Sequence, residues 1–225
     1  MLKWIYDIAN LIFPKTCAGC NKPLLKGENT VCLHCISELP DRLGINKEEV
    51  SQRFYGRINL EEAHAYLLFK RKGITQKLLH SVKYNANKEL AKELGKMFGR
   101  RCKELGFFKD VDVIVPIPLH KSKLRLRGYN QSELLALGMA EEMDIILDQR
   151  SVIRNIKTAT QTRKTRLDRW KNVEHIFEVI NNDLKNKHVL LVDDVITTGA
   201  TLESCAQTIM ESETAKISVA CLALA

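Results

Sequence analysis

The sequence predicts an α/β fold in which helices flank a parallel sheet and a small cysteine-rich module precedes it. Three observations support this prediction. Short apolar runs have the character of strands buried on both faces, at residues 63–69, 111–117, 151–153, 189–192 and 217–224. Segments with helical periodicity separate these runs, at residues 74–82, 88–105, 131–143 and 201–210. Four cysteines stand as two pairs near the N-terminus.

The composition is that of an ordinary globular protein with a basic bias. The chain has 225 residues, of which 45% are hydrophobic and 28% charged, enough for one full-sized core and a small appended module. The 35 Lys and Arg against 27 Asp and Glu give a formal net charge of +8. This charge favours anionic partners such as phosphate esters or nucleic acid, but a basic protein without such a partner fits the composition equally well.

The chain divides into three predicted parts. Residues 1–38 hold an amphipathic helix and the cysteine module, residues 39–60 are polar and weakly periodic and predict a linker, and residues 61–225 form the main domain.

The N-terminal segment carries an apolar stripe at helical spacing. Its members are Trp4, Ile5, Ile8, Leu11 and Ile12. Packing against the same chain is favoured over membrane contact, because membrane-surface helices usually carry a strongly basic polar face. Asp7 and Asn10 interrupt the apolar run, so no signal peptide is expected, and no uncharged run approaches the ~20 apolar residues that cross a bilayer. We therefore expect a cytoplasmic protein.

The cysteine module contains two CxxC pairs, Cys17 with Cys20 and Cys32 with Cys35, separated by 11 residues. Cytoplasmic thiols stay reduced, so the pairs are better suited to metal than to disulfides. Four thiolates can enclose a tetrahedral Zn²⁺, and a closed Cys₄ shell leaves no open position, so the predicted zinc is structural. His34 is expected to be exposed rather than a ligand. The remaining cysteines fall in apolar patterns that predict core positions: Cys102, Cys205 and Cys221.

The most informative segment is VLLVDDVITTGAT, residues 189–201. Its four apolar residues predict a strand that ends at Asp193 and Asp194, and a Thr-Thr-Gly turn then leads into a helix. Gly199 lets the backbone approach an anion, and the amides and hydroxyls of residues 197–201 can surround a phosphate. Two adjacent carboxylates would repel a phosphate but can accept hydrogen bonds from the vicinal hydroxyls of a ribose. The segment therefore predicts a site for a phosphorylated ribose.

This segment resembles the phosphoribosyltransferase signature: four hydrophobic residues, two acidic, two hydrophobic, then Thr-Thr or Thr-Ser, Gly, any residue and Thr. The resemblance implies a type I phosphoribosyltransferase-like sheet, with phosphoribosyl pyrophosphate as ligand and Mg²⁺ at its pyrophosphate. Asp193 and Asp194 are the predicted catalytic residues, with Asp194 near the developing ribosyl cation if the protein is an enzyme. The implied ribose 5-phosphate ligands are Asp193, Asp194, Val195, Thr197, Thr198, Gly199, Ala200 and Thr201.

A second segment, residues 113–136, places basic side chains after another predicted strand. Pro116 and Pro118 end the strand, and Gly128 precedes a helix. The basic loop between them contains His120, Lys121, Lys123, Arg125 and Arg127. Neighbouring strand ends meet at one sheet edge, so we predict that this loop binds pyrophosphate or nucleic acid. A solvated basic loop is the alternative.

A third basic run surrounds Trp170. Its cations are Arg163, Lys164, Arg166, Arg169 and Lys171. Basic residues interleaved with an aromatic suit single-stranded nucleic acid, although the tryptophan fits a core position equally well.

The whole pattern resembles the ComF family of competence-associated proteins. The distinctive residues are 127–131, Arg-Gly-Tyr-Asn-Gln, and the run from Thr160 to Asn172, together with the paired CxxC. The resemblance implies a zinc-ribbon and phosphoribosyltransferase-like protein that handles single-stranded DNA during natural transformation, with other DNA-uptake proteins as partners. An active phosphoribosyltransferase with an unidentified acceptor in nucleotide metabolism is the alternative. No residues that would recognise a base edge are identifiable, and no helix-turn-helix indicates a repressor.

Overall fold

The computed structural model describes residues 14–44, 47–154, 176–213 and 215–225. The predicted N-terminal amphipathic helix lies outside the described residues. So do the third basic run and Trp170.

Strands and helices alternate along the described chain. The strands are β1 (Ala63–Leu68), β2 (Val113–Pro116), β3 (Ile146–Leu147), β4 (Val152–Arg154), β5 (Phe177–Val179), β6 (His188–Ile196) and β7 (Lys216–Leu224). The helices are α1 (Leu33–Ser37), α2 (Lys47–Gln52), α3 (Ile74–Tyr84), α4 (Lys88–Leu105), α5 (Lys121–Arg127), α6 (Gln131–Met143) and α7 (Ala200–Ser212). Helices α4 and α6 have the predicted bounds, and the other predicted elements differ at one or both ends.

The main sheet has the strand order β1-β7-β6-β2-β3. Every neighbouring pair in it is parallel, and β4 and β5 form a separate antiparallel pair. The predicted fold class, a parallel sheet flanked by helices, is confirmed. Strand β6 lies at the centre of the sheet, so the residues that follow β2 and β6 emerge side by side at its carboxyl edge.

Alternate residues of each strand enter two different cores, because successive side chains point to opposite faces. Ile114 and Leu190 are buried in a core with α4 and α6. Val113 and Val189 are buried in the other core, which includes the predicted buried Cys205 of α7. Each fully buried aliphatic side chain stabilises the fold by about 1.5–3 kcal/mol. Cys102 and Cys221 are fully buried as well, as predicted.

Helices α4 and α6 approach so closely that glycine is required where they cross. A Cβ atom on Gly95 would lie 2.1 Å from the carbonyl oxygen of Leu135, and one on Gly138 would lie 2.2 Å from that of Lys92. Both contacts are with backbone, which cannot rotate aside as a side chain can. The crossing fixes α6 against the sheet and so positions its first turn.

The segment predicted as a linker is packed against the main domain. Val50 and Phe54 are buried in the core on the α7 side. The amide of Arg42 donates to Tyr66 O at 2.8 Å, and the amide of Leu68 donates to Pro40 O at 3.0 Å. Widely spaced apolar residues such as Val50 and Phe54 fix this otherwise polar segment, and an analysis of periodicity does not detect such isolated residues.

None of the described helices combines the length and the apolarity that crossing a bilayer requires.

Candidate functional site

The acidic pair lies within strand β6 rather than after it. Asp193 pairs with Cys221 and Val195 with Ala223, so the ladder to β7 continues beyond the carboxylates as far as Ile196. The sequence predicts that the strand ends at the aspartates, and this is corrected by the structure. The long apolar strand β7 offers hydrogen-bond partners along its whole length, and β6 extends to meet them.

Asp193 is held by two donors and is poised to bind a proton near neutral pH. Its Oδ1 accepts from Ser132 Oγ at 2.9 Å and from the amide of Asp194 at 2.8 Å. Burial, followed by the charge of Asp194, raises the pKa of Asp193 to about 7, although the two hydrogen bonds and Lys83 oppose that rise. Burial disfavours the ionised carboxylate because a low-dielectric surrounding solvates it poorly.

Asp194 has a cationic partner that the sequence analysis missed. The Nζ atom of Lys83, in the last turn of α3, lies 2.8 Å from Asp194 Oδ2. The two side chains are 23% and 17% exposed, so the pair is less screened by water than a surface pair. A lysine here lowers the negative potential that two carboxylates would present to a phosphate.

The turn after β6 has the geometry of an anion site. Gly199 adopts φ +80° and forms the N-cap of α7. In the part of the chain that the structure describes, the amides of Thr198, Gly199 and Thr201 donate to no protein acceptor. The side chains of Thr197, Thr198 and Thr201 are exposed, as is Ala200. Unpaired amides at the start of a helix favour an anion through both hydrogen bonding and the helix dipole. We call residues 197–201 the phosphate loop, after the ligand that the sequence predicts for them.

The basic segment starts beside the acidic pair. Pro116 pairs with Val192, and the amide of Ile117 donates to Val192 O at 2.9 Å. The predicted basic loop is instead the short helix α5, whose first turn is capped when His120 Nδ1 accepts from the amide of Ser122 at 3.2 Å. None of its residues is buried. The exposed cations on it are Lys121, Lys123 and Arg125, with the half-buried Arg127 at its end.

The residues after α5 fix the start of α6. The hydroxyl of Tyr129 donates to the carbonyl of Val82. Asn130 donates through Nδ2 to Ile117 O at 3.0 Å and accepts from the amide of Ser132 at 3.1 Å. The bond from Asn130 to Ile117 joins the residues on either side of α5. The bond between Ser132 and Asn130 fixes the first turn of α6, in which the Ser132 hydroxyl donates to Asp193.

Two arginines from the segment after α2 reach the phosphate loop and were not anticipated. Arg53 Nη1 donates to Thr197 O at 2.6 Å, and Arg57 Nη2 donates to Thr198 O at 3.2 Å. Arg57 also pairs with Glu203 at 2.6 Å. These partners are more than 140 residues apart in sequence, so no local pattern could reveal them.

The four predicted zinc ligands converge. The Sγ atoms of Cys17, Cys20, Cys32 and Cys35 all lie within 4.8 Å of one another. A zinc tetrahedron with Zn–S bonds of about 2.3 Å has S···S edges of about 3.8 Å, and Cys20 Sγ and Cys32 Sγ are 3.7 Å apart. Four soft thiol ligands at these separations therefore fit Zn²⁺. His34 is 65% exposed, as expected for a residue outside the cluster.

Hydrogen bonds within the cluster stabilise the thiolate form of Cys17 even without a metal ion. Burial alone would raise the pKa of Cys17, but the amides of Cys32, Cys20 and Gly19 outweigh it and lower that pKa to about 6. Amides donate to thiolate better than to thiol, so the loops are built for a charged sulfur.

Fold and site together define a phosphoribosyltransferase-like α/β protein with an N-terminal Cys₄ ribbon. A family model described as phosphoribosyl transferase domain matches residues 131–225, which include the acidic pair and the phosphate loop.

Three relatives are named as DNA utilization or competence proteins. The chain is 30% identical over 151 residues to the DNA utilization protein YhgH of Escherichia coli K12, covering 64% of this chain and 65% of that protein. It is 36% identical over 106 residues to competence protein F of Haemophilus influenzae, with 46% of each chain covered. It is 37% identical over 99 residues to competence protein ComFC of Bacillus subtilis, covering 44% of this chain and 38% of that one. These relatives, together with the phosphoribosyl transferase domain, support the resemblance to the ComF family.

The match spans about 65% of the length of the Escherichia coli relative, not the whole of it. A purine phosphoribosyltransferase from Pyrococcus horikoshii is a structural neighbour at 21% identity and a TM-score of 0.39, covering 60% of this chain and 73% of that one.

Proposed function

We propose that this protein binds phosphoribosyl pyrophosphate and acts in DNA uptake during natural transformation. One observation carries the binding proposal. Unpaired amides of the phosphate loop lie directly after an acidic pair whose charge is reduced by Lys83 and by the raised pKa of Asp193. The amides suit the 5-phosphate, and the carboxylates suit the ribose hydroxyls. Val195 lies between them on β6.

The other half of the ligand is assigned to the basic segment. We assign the pyrophosphate to His120, Lys121, Lys123, Arg125 and Arg127, because β2 and β6 are adjacent and parallel and deliver both segments to one edge. Mg²⁺ bound with the ligand would neutralise pyrophosphate charge. The exposed cations of this set, Lys121, Lys123 and Arg125, also suit a nucleic-acid backbone, and the salt dependence of DNA binding tests that role.

The role in DNA uptake is supported by the relatives, which are named as DNA utilization and competence proteins. We propose contact with single-stranded DNA and with other DNA-uptake proteins, and a location in the cytoplasm. We further propose that the Cys₄ ribbon holds a structural Zn²⁺, since four cysteine ligands close the shell and leave no position for a substrate.

Turnover is the second candidate function, and the pKa of Asp193 favours it. A carboxyl with a pKa of about 7 can exchange a proton at neutral pH. In such a reaction the C1–O bond to pyrophosphate breaks, a bond forms between C1 and a nitrogen of the acceptor, and the acceptor loses a proton. The acceptor is unidentified.

Calorimetry tests the binding proposal. We expect the wild-type protein to bind phosphoribosyl pyrophosphate with Mg²⁺ and the Asp193→Asn/Asp194→Asn double variant to lose measurable binding while its melting temperature shows that it is folded. Equal affinity in the two proteins would remove the site assignment. Release of pyrophosphate that depends on an added acceptor, either a nucleobase or single-stranded DNA, would establish that the protein is an active phosphoribosyltransferase.

A further inference from the structure

The carbonyl side of the phosphate loop is contacted by a segment that lies far from it in the sequence. This segment follows α2 and contributes Arg53, Phe54 and Arg57. We propose that Arg53 and Arg57 are positioning residues for the phosphate loop: they fix its carbonyl groups and so aim its amides at the anion. The inference rests on the proposed phosphoribosyl site and adds the residues that preorganise it.

Both arginines donate to carbonyl groups of the loop, so they contact it on its carbonyl side. Arg53 donates to Thr197 O and Arg57 donates to Thr198 O. In a trans peptide the carbonyl and the following N–H point in opposite directions. Fixing these two carbonyls therefore fixes the amides of Thr198 and Gly199 on the opposite side of the loop, away from the guanidinium groups. Those two amides are among the ones without a protein acceptor in the described residues.

The arginines also have an electrostatic effect. A positive charge on the carbonyl side of a peptide polarises it, so that the N–H on the far side becomes a better donor to an anion. Neither guanidinium needs to contact the ligand for this to happen. Both act through the peptide that lies between them and the phosphate.

Phe54 provides the third point of support. A Cβ atom on Gly199 would lie 3.0 Å from the ring of Phe54, and the ring itself is buried. The left-handed φ of Gly199 leaves the loop dependent on its neighbours for a single conformation. Arg53 Nη2 also donates to Ala225 O at 3.3 Å, and the amide of Ala225 donates to Ile196 O at 3.0 Å, so the end of β7 is tied to the same support.

Positioning is a better account of these arginines than stability. The Arg57 side chain is 41% exposed and its partner Glu203 is 18% exposed, and exposed ion pairs stabilise folds little. A preorganised loop, by contrast, gains affinity because less conformational freedom is lost on binding. Removal of either arginine should therefore weaken ligand binding much more than it lowers the melting temperature.

The test compares Arg53→Met and Arg57→Met with Arg71→Met, an exposed arginine that follows β1 at the same sheet edge. The probe is ribose 5-phosphate, which needs only the loop and the acidic pair. We expect each of the first two variants to bind it about tenfold more weakly than wild type and Arg71→Met to bind it as wild type does. In the ligand-free protein, amide order parameters at Thr198 and Gly199 should fall in those two variants alone.

The outcomes separate the two proposals. A wild-type protein that does not bind ribose 5-phosphate refutes the proposed site itself. Wild-type binding with unchanged affinity in Arg53→Met and Arg57→Met refutes the positioning role alone. Arg53→Lys and Arg57→Lys keep the charge but lose the planar donor geometry, and full affinity in both would show that positive charge, not loop geometry, matters.

Discussion

The Nζ atom of Lys83 lies 2.8 Å from Oδ2 of Asp194 and joins helix α3 to the central strand of the sheet. The positive charge of Lys83 reduces the repulsion that two adjacent carboxylates would exert on a phosphate bound at the neighbouring loop. Lys83 offsets the charge of Asp194, while burial and Asp194 raise the pKa of Asp193 to about 7, so that this carboxyl is partly protonated near neutral pH.

Replacing Lys83 should therefore weaken ligand binding and alter its pH dependence. In Lys83→Met, Asp194 loses its partner, and we expect the affinity for phosphoribosyl pyrophosphate to fall about tenfold, which corresponds to the loss of one hydrogen bond between charged groups. Loss of the lysine also raises the pKa of Asp193 further, since Lys83 lowers it in the wild type. Calorimetry across pH 6–9 measures both effects. Lys77→Met, an exposed lysine on the same helix, is the control, and equal behaviour of the two variants would contradict the role of Lys83.

Asp193 should make the fold less stable as pH rises. Its pKa is about 7 in the folded protein and about 3.9 in an unfolded chain. Between these values the folded state binds more protons than the unfolded state, so the free energy of unfolding falls as pH increases from about 4 to about 7 and is level beyond. Asp193→Asn removes this dependence. We expect the variant to melt above wild type at pH 8, with a smaller or reversed difference at pH 5. A difference in melting temperature that stays constant from pH 5 to pH 8 would contradict the assignment.

The α4–α6 crossing should tolerate no side chain at Gly138. Gly138→Ala forces a methyl group against the backbone of Lys92, and we expect a loss of about 3 kcal/mol in the free energy of unfolding. Gly128→Ala is the matched control, because Gly128 has φ +75° and open space around its Cβ position. Strain alone should cost that variant about 1 kcal/mol. Urea unfolding measures both, and similar losses would show that the close approach is not limiting.

The cysteine cluster should bind one zinc ion per chain. We expect Cys20→Ser to lose the metal and to melt at a lower temperature, because the small ribbon depends on its ligands for stability. Cys205→Ala keeps all four ligands, since Cys205 is a buried residue of α7 and not part of the cysteine cluster. Elemental analysis of the purified proteins measures the metal content. Wild-type protein free of metal after expression with zinc, or Cys20→Ser with full occupancy, would contradict the structural role.

The exposed cations of α5 should govern any binding of single-stranded DNA. A Lys121→Gln/Lys123→Gln/Arg125→Gln variant leaves the core intact because no residue of α5 is buried. Each lost phosphate contact should reduce the slope of log affinity against log salt by about 0.7. Fluorescence anisotropy with a labelled oligonucleotide measures the slope. An unchanged slope would assign these cations to the pyrophosphate alone.

Local sequence order predicted much of the fold and most of the residues of the candidate site. Helix α4 repeats apolar residues at Leu90, Leu94 and Phe98, all fully buried, and its bounds were predicted correctly. The cysteine pairs and the phosphate loop could be proposed from the sequence because their chemistry depends on fixed spacing within a few residues. Strand β6 was predicted too short because the pairing that extends it comes from β7.

The unpredicted part of the site depends on contacts between distant segments. Lys83 contacts Asp194, which is 111 residues later in the sequence. Arg53 contacts Thr197, which is 144 residues later. Nothing in a polar segment distinguishes an arginine that holds a loop from one that is solvated. The residues proposed to contact the ligand follow from local order, and those proposed to orient them follow only from the packed fold.

The amides of the phosphate loop are expected to bind the 5-phosphate of a ribose. Amide chemical shifts on addition of ribose 5-phosphate to the ¹⁵N-labelled protein test it most directly. We expect the largest downfield shifts at Thr198, Gly199 and Thr201, because a strong hydrogen bond to an anion deshields the amide proton. Shifts confined to α5 or to the cysteine ribbon, with these three amides unmoved at saturation, would contradict the claim.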